Sequence, residues 1–538
     1  MDREQFRTEQ ETGTAGNAVI TVNSKPYIML AGEVHNSNSS STEAMEPVWQ
    51  KAKSLGMNTL LLPVTWEMTE PEEGQFEFRL VDGLIAQARE YEMHIVFLWF
   101  GAWKNAQCYY APAWVKRDTE RFLRAEVQKG KKKVNLEKFH GMPYTTLSCH
   151  CEETMEADSR AFAALMKHIR EVDEKEHTVI AVQVENETGL QGAAREHSDY
   201  ADELFGKEVP SEFAAYMRAH TETMREEIKA AVEQGRESGT WEDVFGAAAE
   251  EIFHTYSVAG YIDHVAAAGK KEYLLPMTVN AWLDKGQEPG MFPSGGPVAR
   301  MMEVWKYRAP HIDVLAPDVY VQNFCEVCDE FTKMGNPLFI PETAVHSHAG
   351  PRLVYVIGHY HAIGFAPFGF EDMGEPFSDT DSYLFGVDTS DPLLSVPQDP
   401  EEYAWYGRTL HSMMPLLTSG YGTRKLQAVI CEHPDQDTMI FGGYGFKIMM
   451  GAPLISRRDG VCLALQTAED EFYLIANGCM IAPFSTDPQK PHVDMLCLEE
   501  GEFRDGVWHM IRRLNGDEAA LMKYDKPTLL KIQLFSYQ

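Results

Sequence analysis

Basic residues are scarce in this 538-residue chain: 48 lysines and arginines face 81 aspartates and glutamates, a formal net charge of -33. So acidic a surface repels nucleic-acid phosphates and anionic lipid headgroups, which argues against both as partners. Cysteine is sparse as well. Nine in a chain of this length do not make a disulfide framework. No apolar run is long enough to span a bilayer. The opening residues, MDREQFRTEQETGTAGN, lack the apolar segment that follows a basic start in a secretory leader. These absences predict a cytoplasmic protein with reduced thiols. Short-period repeats and low-complexity tracts are missing too, and the basic cluster KGKKKVNLEK (129–138) reads as a solvated loop face.

What the chain does contain is core-forming material, with 44% hydrophobic and 11% aromatic residues. At this length a single core is exceeded, so a large domain and a smaller one are expected. Apolar, strand-like runs recur at YIMLAGE (27–33), MNTLLLPV (57–64), HIVFLWF (94–100) and TVIAVQV (178–184). Four more follow at YLLPMTVN (273–280), HIDVLAPDVY (311–320), PLFIPE (337–342) and HAIGFAPFGF (361–370). Segments of helical periodicity separate them, among them FRLVDGLIAQAREYE and DSRAFAALMKHIREVDEK. Continuous apolar strands alternating with helices imply a parallel sheet covered on its outside. Eight such units predict an α/β fold, a (β/α)8 TIM barrel, over residues 18–395, behind an N-terminal tail of residues 1–17.

Beyond residue 395 the pattern changes. A helical stretch, PEEYAWYGRTLHSMMPLLTS, precedes short alternating runs such as EFYLIAN and TLLKIQLFSY, punctuated by Asp459-Gly460 and Asn477-Gly478. Residues 396–538 are therefore expected to form a helical linker and an all-β, sandwich-like domain.

Barrels of this kind carry their chemistry at the C-terminal ends of strands. Glu187 follows the fourth apolar run and Glu342 ends the seventh. Two carboxyls opposed across a barrel mouth suit cleavage of a glycosidic bond: one protonates the leaving oxygen, the other attacks or activates water at the anomeric carbon. A separation of about 5–5.5 Å implies retention and about 6.5–9.5 Å implies inversion. A lone strand-end glutamate is more often a structural carboxylate, but a pair at the fourth and seventh strands favours chemistry. Strand alternation does not separate Glu185 from Glu187, which share one parity. Gly189 closes the strand and places Glu187 nearer the mouth. Glu185 is left as either a structural or a sugar-binding carboxylate.

At these residues the chain resembles a known family. QVENETG (183–189) looks like the Q-x-E-N-E-Y-G signature of glycoside hydrolase family 35 β-galactosidases. PVTWEMTEPEEGQFEF (63–78) is similar to the W-x-x-H-E-P-x-x-G segment after that family's second strand. LAGEVHNSNSSS (30–41) resembles the first-strand segment of a bacterial branch carrying a C-terminal domain of unknown function. The resemblance implies a retaining (β/α)8 exo-glycosidase acting on terminal β-D-galactosyl residues. It makes Glu187 the acid/base, protonated at rest, and Glu342, in FIPETA, the nucleophile. It has Asn186 bind the sugar 2-OH, and it makes Tyr320 a candidate hydrogen-bond donor to Glu342, the other reading of that residue being an aromatic core plug. Thr188 stands where the family has tyrosine and Thr69 where it has histidine, which bears on sugar specificity.

Glu33 and Asn36 follow the first strand and are candidate ligands for sugar hydroxyls, while His35 between them reads as a structural hydrogen-bonder. Trp66, Trp99, Trp103, Trp282 and Phe370 lie at or past strand ends, where a ring is either a platform for a sugar face or part of the core. Cys108, Cys149 and Cys151 are similar to part of the four-cysteine zinc site of family 42 β-galactosidases. Glu152 to Met155 follow where a fourth cysteine would come, so no metal is expected. Cys325 and Cys328 read as buried thiols, and no cofactor is implied. The expected partner is a small-molecule or oligosaccharide substrate. A homo-oligomer is left open, since self-association at this charge needs an apolar patch. The rival readings are a β-glucoside, β-mannoside or arabinopyranoside substrate, a silent carbohydrate-binding barrel, and a metal-dependent barrel hydrolase.

Overall fold

A computed structural model describes residues 6–8, 18–129, 132–135, 138–139, 142–143, 145–377, 395–433, 436–451, 455 and 459–538. The expected tail 1–17 apart from residues 6–8, and residues 130–131 and 136–137 of the basic cluster, lie outside the described residues. Six apolar runs fold as β1 (Met29–Glu33), β2 (Thr59–Thr65), β3 (His94–Lys104), β4 (Val179–Asn186), β5 (Met277–Trp282) and β6 (Val314–Val319). The seventh run is split at Pro341 into β7 (Phe339–Ile340) and β8 (Glu342–Thr343), and the eighth contributes β9 (Gly364–Phe365).

Along the sheet the order is β7-β9-β1-β2-β3-β4-β5-β6-β8. One proline separates the strands at its two ends, so the sheet curls into a nearly closed parallel barrel. Proline has no amide hydrogen and cannot donate to a ladder, so the segment changes its pairing partner at that residue. Parallel pairing is seen for β4 with β3 and with β5, for β5 with β6, and for β9 with β7 and with β1. Strands β2 and β4 are buried at every residue, as a sheet covered on both faces requires.

Two compact units make up the chain. One comprises Asn36–Glu46 and Leu61–Asp318. It is built on long helices α1 (Glu152–Asp173) and α2 (Ala249–Glu272), with shorter helices over Asp199–Phe205, Ser211–Ala219, Glu226–Gln234 and Trp241–Phe245. That helical insertion separates the fourth strand from the fifth and accounts for much of the length beyond a minimal barrel.

The other unit comprises Met1–His35, Pro47–Leu60 and Val319–Gln538. Its helix α3 (Pro400–Gly420) starts with the Asp399 side chain accepting from the Glu401 amide and a proline in the first turn, both standard start signals. The all-β part has a six-stranded antiparallel sheet in the order Leu426–Ile430, Val461–Gln466, Glu471–Asn477, Thr528–Tyr537, His492–Arg504, Val507–Arg513. A four-stranded antiparallel sheet runs Thr438–Phe441, Tyr444–Met450, Cys479–Ser485, Lys523–Tyr524. Their inner faces form one core, where Phe472 of the larger sheet meets Phe441 and Phe446 of the smaller at ring separations of 5.4 and 5.0 Å. Asn477-Gly478 carries the chain from one sheet to the other, with Gly478 at φ 60°, a conformation that glycine adopts without strain.

Inside this second unit Glu432, just past the Leu426–Ile430 strand, receives a buried fork from Arg352. Nε lies 3.0 Å from Oε1 and Nη2 2.7 Å from Oε2. His348 Nδ1 is 2.6 Å from Oε1, and the guanidinium sits over the Phe324 ring at 4.4 Å. Burial alone would push the Glu432 carboxyl pKa up, but Arg352 and His348 outweigh it and hold it well below the usual carboxylate range. Removing one partner of such a pair strands the other charge, so Glu432→Gln is expected to cost about 3–5 kcal/mol at neutral pH. Because folding depresses this pKa, the contribution is complete above the unfolded carboxylate value, about 4.3, and is lost as pH falls toward the folded one. Calorimetric melts of both proteins from neutral pH down to pH 3 should therefore show the gap narrowing only at the acidic end.

Candidate active site

Strand β4 ends in two residues with left-handed backbone, Glu185 at φ 61° and Glu187 at φ 44°. For residues with a Cβ this is strained and persists only where the surroundings hold it. The holding groups come from β3. Between the pairs Val184–Trp99 and Asn186–Lys104 the register slips, so that β3 spends extra residues in a bulge. The bulge wraps the Glu185 carboxyl: Gly101 N and Trp103 N donate to Oε2 at 3.1 and 2.8 Å, and Ala102 N donates to Oε1 at 3.0 Å.

Behind Glu185 lies Asp158 of α1, which accepts from Trp99 Nε1 at 2.8 Å and from Tyr261 Oη at 2.9 Å. Burial raises the pKa of both carboxyls, and the neighbouring Asp158 charge raises that of Glu185 further, so the two acids share a proton between them. Glu185 is thus a structural carboxyl, which resolves the alternative that parity left open. The alternation argument fails here because two left-handed residues interrupt the strand.

The same bulge places the next two residues. Lys104, buried at the end of β3, donates to Asn186 Oδ1 at 2.9 Å and fixes that amide. The Glu187 amide donates to Asn280 Oδ1 at 2.9 Å, and the Glu187 carbonyl accepts from Ala106 N at 3.0 Å. Asn280 Nδ2 in turn donates to Asp318 Oδ2 at 2.8 Å. Lys104, Asn280 and Asp318 were not singled out in the sequence. Their position at the ends of β3, β5 and β6 was the available signal.

In the other unit Glu342 opens β8 and is buried. Tyr320, one residue past β6, donates its hydroxyl to Glu342 Oε2 at 2.8 Å. Thr343 Oγ1 donates to Val319 O at 2.8 Å, which ties the two strand ends together beside that contact. Glu33, at the end of β1, is fully buried, with its backbone paired to Pro367 and Gly369. His35 Nε2 lies 2.6 Å from Asp372 Oδ2, a surface contact.

The aromatic candidates separate by exposure. Trp66 is fully enclosed, its indole N–H on Glu70 Oε2 at 2.8 Å and its ring edge-on to Trp114. Trp103 packs edge-on to Tyr261 at 4.7 Å, and Trp99 and Phe370 are also enclosed. None of these four presents a face on which a sugar could stack, and their role is packing. Trp282, ending β5, is partly exposed. Asn36 lines a cavity of about 140 Å³ with Thr65, Glu67, Thr69 and Tyr110, and its Oδ1 has no hydrogen-bond partner among the described residues.

None of the nine cysteines forms a disulfide. Cys108 Sγ lies 3.2 Å from Thr145 Oγ1 and Cys151 Sγ donates to Arg121 O at 3.3 Å, so these two do not converge with Cys149. Burial pushes the Cys325 thiol up to about 12, as expected of an inert structural thiol. Among the described residues no helix is long and apolar enough to cross a membrane.

Residues 19–259 match the description of glycosyl hydrolases family 35, and residues 406–523 match a domain of unknown function, DUF5597. The family 35 match includes β1 to β4 with Glu187 and stops before Glu342. A β-galactosidase of Xanthomonas manihotis is 36% identical over 66 residues, which is 12% of this chain and 11% of that protein. Among solved structures, a β-galactosidase from Bacillus circulans sp. alkalophilus aligns at 14% identity and TM-score 0.46, covering 72% of this chain and 56% of that one. The catalytic domain of a β-amylase from Paenibacillus polymyxa aligns at 11% identity and TM-score 0.45, covering 70% and 97%.

The bulge that seats Glu185 has no room for a side chain at Gly101. A Cβ there would lie 2.4 Å from Trp99 Nε1, 2.5 Å from Glu185 Oε1 and 2.7 Å from Asp158 Oδ1. Gly101→Ala should therefore cost at least about 1–3 kcal/mol from overpacking. An unchanged calorimetric melting temperature would show that the bulge is not held as described.

Proposed function

We propose that this protein is a retaining exo-β-glycosidase that removes terminal β-D-galactosyl residues, with Glu187 as proton donor and Glu342 as nucleophile. The strand order supports this most directly. In a parallel barrel all strands end on one rim, where the fold carries its chemistry; Glu187 lies one residue past the fourth strand, and Glu342 opens β8 within the seventh chain segment. The family 35 match and the β-galactosidase relative support the substrate class.

In the first step the Glu342 carboxylate bonds to the anomeric carbon while the glycosidic C–O bond breaks and Glu187 gives its proton to the leaving oxygen. Water then loses a proton to Glu187 and attacks the anomeric carbon, and the sugar leaves Glu342 with retained configuration. The Tyr320 hydroxyl on Oε2 orients the nucleophile and disperses its charge. Asn186, held by Lys104, faces the sugar 2-OH in this reading.

Glu342→Gly should abolish turnover, and added azide should restore it with release of the α-glycosyl azide. A rescued product of β configuration, or none, removes Glu342 from the nucleophile's place. Glu187→Ala should retain glycosylation of dinitrophenyl substrates far better than that of alkyl glycosides, because an activated phenolate departs without a proton. Tyr320→Phe forfeits a hydrogen bond to a charged group, about 1.5–3 kcal/mol, and should lower kcat about 10- to 100-fold. A nitrophenyl panel of β-galactoside, β-glucoside, β-mannoside and arabinopyranoside identifies the sugar. Binding without cleavage of every member would establish a silent carbohydrate-binding barrel instead.

A further inference from the structure

Outside the proposed catalytic residues, three metal-binding side chains converge in the unit that carries α1 and α2. Cys149 and His150 belong to the segment after β3, and His254 lies in the first turns of α2. One donor atom from each falls within 4.8 Å of the others. Their surroundings are built rather than incidental. His254 is 2% exposed and its Nδ1 has no hydrogen-bond partner among the described residues. His150 Nε2 is likewise buried and unpartnered there. The His150 ring is held by stacking on Phe253, at 5.6 Å between centroids and 20° between planes, and Tyr200 closes on it edge-on at 6.5 Å.

Two buried imidazole nitrogens without partners, beside a thiol, are unfavourable unless something accepts their lone pairs. Zinc-class ions bind thiolate sulfur at about 2.3 Å and imidazole nitrogen at about 2.0–2.1 Å, so tetrahedral donors lie about 3.3–3.8 Å apart. Closing from within 4.8 Å to that spacing takes side-chain rotation of about 1 Å. We propose that Cys149, His150 and His254 form a binding site for a borderline-soft divalent cation of the zinc class, with solvent at the fourth position. On binding, the thiol proton leaves to solvent as the sulfur–metal bond forms, while each neutral imidazole gives a lone pair and loses nothing. The ion fastens the segment after β3 to α2. This ligand set differs from the three-cysteine spacing seen in the sequence, because Cys108 and Cys151 are engaged elsewhere.

Cobalt(II) added to the full chain after dialysis against a chelator reads the site without reference to catalysis. The expected result is saturation at one equivalent, a thiolate-to-cobalt charge-transfer band, intense d–d bands of low coordination, and displacement by zinc(II). Cys149→Ser should abolish the charge-transfer band. His254→Gln should keep the band but weaken binding at least about 100-fold. Cys108→Ser and Cys151→Ser should leave band and affinity unchanged. Absence of saturable cobalt binding by the wild-type chain overturns the proposal, as does loss of the band in Cys108→Ser or Cys151→Ser. Should Cys149→Ser fail to fold, the wild-type spectrum and the two other cysteine variants still decide.

Discussion

A carboxyl group at the end of a buried strand must find hydrogen-bond donors, and the way Glu185 finds them shapes the region around it. Three successive amides of the β3 bulge converge on it, and Asp158 shares its proton. The bulge exists because β3 runs on past its last regular pairing with β4, and Gly101 leaves room for the two acids to meet there. With Glu185 fixed, β4 takes its left-handed turns, Asn186 comes onto Lys104, and the Glu187 amide comes onto Asn280. The residues proposed to act on substrate are thus held by a neighbour proposed to do no chemistry.

The chain's shortage of basic residues gives each buried one a defined task. Lys104 fixes Asn186, Arg352 neutralises Glu432, and Arg195 meets Asp202 at 2.7 Å while lying over the Phe205 ring at 4.1 Å. A buried cation is costly unless paired, so interior cations are retained where a carboxylate or amide must be oriented. Glu432 illustrates this within its own unit: it sits at the edge of the β-sandwich and receives Arg352 from the segment that follows the Glu342 strand.

Much of the barrel was legible in the amino-acid sequence because parallel strands buried on both faces must be apolar throughout, and such runs are conspicuous. Their ends were less so. The seventh run was expected as one strand and is divided at Pro341, and the eighth keeps a short strand because PFGF turns away from the sheet into a short helix. The antiparallel β domain was legible from alternation and turn residues, but Asn477-Gly478 links two sheets rather than two neighbours in one. Aromatic rings at strand ends were ambiguous in principle. Trp66, Trp103 and Phe370 proved to be enclosed, since a large apolar ring gains more from packing than from waiting at a rim.

Residue order alone determined the fold class, the two acidic strand ends and the signature around Asn186, because these depend on composition and spacing along the backbone. It could not say which of Glu185 and Glu187 is structural, since that choice rests on where the amides of another strand fall. Nor could it join Cys149 to His254, more than a hundred residues away, or show Cys108 and Cys151 turned to other partners. Hydrogen bonds and metal ligation are short-ranged and directional, and only the folded chain brings such distant groups within reach of one another.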